Sequence, residues 1–153
     1  MADQQVLTQL APQLARIFLK GEIGKAATEI SEDETPLLVV YANLQASGQR
    51  AGLHLVVATD RRVMFVSRFG TEEEKITSVS YTQMAAEGER ASPFGAALEI
   101  ATLGALPQIV KVRKHAHEYA IRGIRPLRRG AQFLRLVEDQ IDKQQAQPPD
   151  SEA

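Results

Sequence analysis

The sequence predicts a mainly β domain with flanking helices, its strands forming a small barrel or sandwich. Three observations carry that expectation. Short runs rich in Val, Leu and Ile recur between Leu37 and Val112, with turn-forming residues between them. Helical periodicity is confined to the two ends of the chain. At 153 residues, 44% apolar and 24% charged, the chain has the size and composition of one globular domain.

Taken in order, Leu7, Leu10, Leu14, Ile17 and Phe18 recur at helical spacing and predict an N-terminal amphipathic helix over residues 1–21. Gly21 is its expected stop, and Pro12 a place where it starts or bends. Residues 22–36 read as a polar linker holding the acids Glu32, Asp33 and Glu34. Strands are then expected at Leu37–Ala42, Leu53–Ala58 and Arg62–Ser67. The last two are joined across Thr59-Asp60 in the clearest hairpin of the chain. Lys75–Tyr81 reads as a fourth strand whose Ile76, Val79 and Tyr81 break strict alternation, which suggests a bulge or an early turn. Met84–Glu89 is a weaker fifth strand. Ala96–Ala101 and Pro107–Val112 complete seven. His115–Arg122 is expected to be helical, interrupted by Gly123 and Pro126. Ala131–Ile141 forms a better helix, with the stripe Phe133, Leu134, Val137 and Ile141. The expected organisation is therefore a helix at 1–21, a domain with a C-terminal helical extension at 22–146, and a flexible tail at 147–153.

Composition narrows the chemistry. The chain has no cysteine, so disulfides, thiolate nucleophiles and Cys-ligated metal centres are excluded. The longest strictly apolar run, Leu37–Ala42, is far shorter than a membrane span, and the first residues lack a signal-peptide pattern. His54, His115 and His117 have no recognisable ligand spacing, and no Gly-x-Ser-x-Gly elbow or phosphate loop is present. Glu72-Glu73-Glu74 reads as a solvated surface rather than a catalytic pair. No catalytic, cofactor or metal residue is therefore assigned, and the protein is not expected to be an enzyme.

Charge is more informative by position than in total. The 18 basic and 19 acidic side chains leave a net charge of -1. Residues 109–135 nonetheless hold Lys111, Arg113, Lys114, Arg122, Arg125, Arg128, Arg129 and Arg135 against Glu118 alone, a local charge of +7. These eight residues form the candidate anionic-contact surface. Few aromatic side chains are available for base stacking, so nucleic acid is not an expected partner.

One stretch carries a family resemblance. Leu19-Lys20-Gly21-Glu22, and then Leu53-His54-Leu55-Val56-Val57-Ala58-Thr59-Asp60-Arg61-Arg62-Val63-Met64-Phe65-Val66, resemble the small bacterial pleckstrin-homology domains of the YokE-like type. Lys75–Tyr81 and Ala97–Thr102 are similar to later strands of that family, and the resemblance covers roughly residues 19–125. It implies a partly open, seven-stranded barrel closed at one end by a C-terminal helix, and a binding scaffold without enzymatic activity. The basic residues with which eukaryotic relatives hold phosphoinositides are not matched, since residues 46–52 contain only Arg50. Thr59-Asp60-Arg61-Arg62 has its own structural explanation as a polar turn in which Asp60 accepts backbone hydrogen bonds.

The expected function is a noncatalytic protein-interaction or assembly module, acting on an unknown protein partner or by self-association through exposed sheet edges. Peripheral binding to an anionic membrane or ligand through the basic C-terminal region is the alternative, and a small-ligand site in the barrel opening a weaker one. The expected location is cytoplasmic, with peripheral contact at the inner membrane surface under the alternative.

Overall fold

The computed structural model describes residues 4–10, 20–46, 52–67, 76–82, 98–103, 106–114, 117–125 and 127–146. Two helices, α1 (Gln4–Leu10) and α2 (Lys20–Glu29), lead into strands β1 (Pro36–Ala46), β2 (Gly52–Thr59), β3 (Arg62–Ser67) and β4 (Ile76–Ser80). Strands β5 (Leu98–Leu103), β6 (Leu106–Lys114) and β7 (His117–Arg125) follow, and helix α3 (Leu127–Ala146) comes last. All strand pairs are antiparallel.

The strands form one sheet in the order β4-β3-β2-β1-β7-β6-β5. This order corrects the expected barrel. The ladder runs from an edge at β4 to an edge at β5, and these two strands do not pair, so the sheet is open. The sheet also includes β7, which was not among the expected strands, while the Met84–Glu89 candidate lies outside the described residues.

Both faces of the β1–β3 region are covered, which explains its unbroken apolar runs. On one face Leu38, Val40, Ala42, Leu44, Val56, Ala58, Val63 and Phe65 pack in a cluster with Phe133, Val137 and Ile141 of α3. On the other, Val39, Leu55, Val57, Met64 and Val66 pack against Leu7 of α1 and Ile23, Ala26, Ala27 and Ile30 at α2. Alternation within each strand divides its residues between two helical layers rather than between core and water.

Several expectations at the N-terminus change. Residues 11–19 lie outside the described residues, and Gly21 is not a stop but an exposed position inside α2. The linker expected from residue 22 begins as helix instead. Ile23, Ala26, Ala27 and Ile30 follow the i, i+3, i+4, i+7 spacing of an apolar stripe, and Glu22 lies in the first turn, where it favours the helix dipole. Further on, the suspected bulge in the fourth strand is absent, since β3 and β4 pair without a shift from Arg62↔Ser80 to Val66↔Ile76. Alternation lapses there because Ile76 packs with the α1/α2 layer and Val79 with the α3 layer.

The segment expected to be helical at His115–Arg122 is strand β7, and its irregularity has a defined cause. Tyr41 pairs with Arg125 but Asn43 with Arg122, so β7 has one extra residue there. Gly123 occupies that bulge with φ of +62°, a conformation that glycine adopts without strain. The extra residue lets Ile121 and Ile124, three apart, both enter the α3-side cluster. Helix α3 is longer at both ends than the expected Ala131–Ile141 and takes in Gln144–Ala146, while the expected tail at 147–153 lies outside the described residues.

Candidate functional site

Two places gather polar chemistry. The first is the β2–β3 turn. Glu34, on the loop before β1, is 2% exposed at its side chain and faces Arg62, which is 24% exposed. Arg62 donates from Nε to Glu34 Oε2 (3.0 Å) and from Nη2 to Oε1 (3.1 Å), a two-point contact that holds both groups in plane. Its Nη2 also donates to the Glu29 carbonyl at 3.0 Å, at the end of α2. Thr59 Oγ1 donates to Glu34 Oε2 at 2.7 Å and accepts from the Arg61 and Arg62 amides, each at 3.1 Å. The Ser31 amide supplies a fourth donor to Glu34, at 3.2 Å.

Neighbouring contacts complete the turn. Asp60 accepts the Thr35 amide at Oδ1 (2.9 Å) while its own amide donates to the Thr35 carbonyl (3.0 Å). Arg61 pairs with Asp33 at 2.7 Å on the surface. Buried Tyr81 donates its hydroxyl to the Thr59 carbonyl at 2.8 Å. Burial would raise the Glu34 carboxyl, but hydrogen bonds from Arg62, Thr59 and the Ser31 amide outweigh it and hold the group below its ordinary range. Burial pushes the Tyr81 hydroxyl upward, so it remains a neutral donor. Among the described residues no buried side-chain nitrogen or oxygen lacks a partner. The expected Asp60 turn is therefore present, and the cluster around it is a fastening with every buried polar atom engaged.

The sequence reading grouped Glu32, Asp33 and Glu34 as equivalent linker acids. The fold separates them into an exposed residue, a surface pair with Arg61 and a buried anchor for Arg62. Composition contains no sign of that division. Half-buried His54 has its Nδ1 at 2.7 Å from the Gly52 carbonyl, and burial lowers its pKa.

The second place is the basic segment, which the fold distributes over three elements. On β6, Lys111, Arg113 and Lys114 stand in register opposite Ala120, Glu118 and His117 of β7. On β7, Arg122 and Arg125 are exposed. Arg128 and Arg129 fall in the first turn of α3, where cations oppose the helix dipole. Arg129 has local partners there: its Nη1 donates to the Leu10 carbonyl of α1 and, at 3.3 Å, to the Val39 carbonyl of β1. It therefore ties the helices of both layers to the sheet. Arg135 is exposed further along α3 and lines a shallow groove of about 470 Å³ with Gln132, Leu136, Asp139, Gln140, Asp142 and Lys143. The eight candidates thus lie on β6, β7 and α3 rather than on one element.

Among the described residues no group of three or more His, Asp or Glu side chains has the arrangement of a metal site. No helix among them is long and apolar enough to cross a membrane.

Comparison with known proteins adds the fold alone. No family model matches the chain, and no curated protein matches it. The resemblance to the YokE-like family therefore rests on the sequence motifs themselves. Among solved structures, the C-terminal domain of an unknown protein from Leishmania infantum is similar, with a TM-score of 0.50 and 12% identity. The match covers 84% of this chain and 94% of that one.

Proposed function

We propose that this protein is a noncatalytic interaction or assembly module that adds a partner strand to the β5 edge of its sheet. The supporting observation is the position of β5 (Leu98–Leu103), which has β6 on one side and no strand on the other among the described residues. An edge of this kind presents backbone donors and acceptors in a row, ready for an added strand. The other edge strand, β4 (Ile76–Ser80), is one residue shorter than β5.

Proline at β5 tests the proposal. Successive amides of an antiparallel strand point to alternate sides. Of Glu99→Pro and Ile100→Pro, one removes a bond to β6 and the other an outward donor. The second variant should keep the parent melting temperature and lose the concentration-dependent oligomer, or the captured protein partner, of the unmodified chain. A chain that stays monomeric from micromolar to submillimolar concentration and captures no stoichiometric partner overturns the proposal.

A further inference from the structure

Arg122 and Arg125 differ from the other arginines whose partners are described. Arg61, Arg62 and Arg129 each bind groups of their own chain. Arg122 and Arg125 are exposed and make no hydrogen bond or ion pair among the described residues. Their spacing is set by the backbone. They stand opposite Asn43 and Tyr41, two positions apart on β1, so the Gly123 bulge brings them to one face about 6.8 Å apart along the sheet.

Helix α3 carries the complementary feature. Glu138 and Asp142 are exposed, one turn apart and about 6 Å along the axis. They are like charges at i and i+4 in the second half of a helix, where carboxylates oppose the dipole. Neither forms an ion pair among the described residues, Arg135 three residues earlier included. The segregation extends to the chain as a whole: residues 109–135 carry +7, and residues 136–153 carry five acids and one base.

We infer that a second copy of this chain docks here, its Glu138 and Asp142 carboxylates meeting the Arg122 and Arg125 guanidinium groups. The charges are opposite, the backbone spacings are similar, and each pair sits on a hydrogen-bonded element, the bulged strand β7 and helix α3. Each pair finds in another copy the counter-charge it lacks among the described residues of its own chain. This inference rests on the assembly reading above and names a contact surface separate from the β5 edge.

The experiment is sedimentation velocity on the full chain at low and high salt. Self-association should weaken about tenfold as salt rises. The double reversals R122E/R125E and E138K/D142K should each abolish it without lowering the melting temperature, since all four side chains are exposed. Mixing the two variants should restore association between them. Association indifferent to both reversals, or a mixture that stays monomeric, overturns the inference. So does a monomer whose Arg122 and Arg125 bind phosphatidylserine vesicles instead. Loss of association on the β5 proline variant without any response to charge reversal refutes this surface and leaves strand addition standing.

Discussion

The β2–β3 turn and the β7 bulge each set arginines beside a break in a strand and use them in opposite ways. At the turn, Arg62 enters a pocket holding Glu34, Thr59 and the Glu29 carbonyl, and its charge is consumed in fixing α2 and the loop before β1 to the hairpin. At the bulge, the backbone does the fastening through Gly123, and Arg122 and Arg125 remain exposed. The difference shows that an arginine's role depends on whether the fold supplies a carboxylate beside it. A basic motif in sequence is therefore an ambiguous sign of binding.

Breaking the turn should have the largest effect. Glu34→Ala strands Arg62 in a mostly buried position and should cost about 3 kcal/mol of stability, measured by urea denaturation. The same contact sets an acid limit. Because the Glu34 pKa is lowered on folding, its contribution is complete above the unfolded value of 4.5 and is lost as pH falls through the folded value. His54 acts with the same sign at higher pH: its pKa is also lowered, so acidification below 6.5 favours the unfolded chain. Denaturation midpoints should therefore fall in two steps on acidification. Glu34→Gln should shrink the lower step, to which Asp33 beside Arg61 also contributes, and His54→Phe should remove the upper one.

Smaller changes sharpen the contrast. Tyr81→Phe deletes the 2.8 Å bond to the Thr59 carbonyl and should cost about 1 kcal/mol. Gly123→Ala should cost a similar amount, about 1 kcal/mol, through its positive φ rather than crowding, since a Cβ there would meet nothing closer than Asn43 Nδ2 at 3.9 Å. Gly21→Ala should have the opposite sign, adding about 0.5 kcal/mol, because Gly21 lies within α2 with open space around it. Thermal melts separate these alternatives, as a glycine ending a helix in a left-handed conformation would lose stability on the same change. Arg122→Gln and Arg125→Gln should leave the melting temperature within error of the parent, in contrast to Arg62→Gln.

Much of the sheet was legible. Strand β3 begins and ends where the apolar run and its flanking polar residues place it, and the β2–β3 hairpin follows from Thr59-Asp60 between two such runs. Helix α3 was visible in the spacing of Phe133, Val137 and Ile141. Helix α2 was hidden because half its buried stripe is alanine, too weakly hydrophobic to stand out beside Gly21 and Gly24. Strand β7 was misread because Gly123, taken as an interruption after a helix at His115–Arg122, is instead the bulge inside the strand. Of the candidate site, the charge was visible and its allocation was not. Arg122, Arg125 and Arg129 look alike in the chain, yet the third binds carbonyls of α1 and β1.

By itself the sequence determined the local features: where apolar residues alternate, where a polar turn interrupts them, where positive charge concentrates, and that cysteine chemistry is excluded. These follow from composition and short-range periodicity. Only the tertiary structure decided that the sheet stays open, that two helical layers cover β1–β3, and that Glu34 rather than Glu32 or Asp33 meets Arg62. Those outcomes depend on contacts between residues distant in the chain, and one acid is distinguished from its neighbours only by what packs against it.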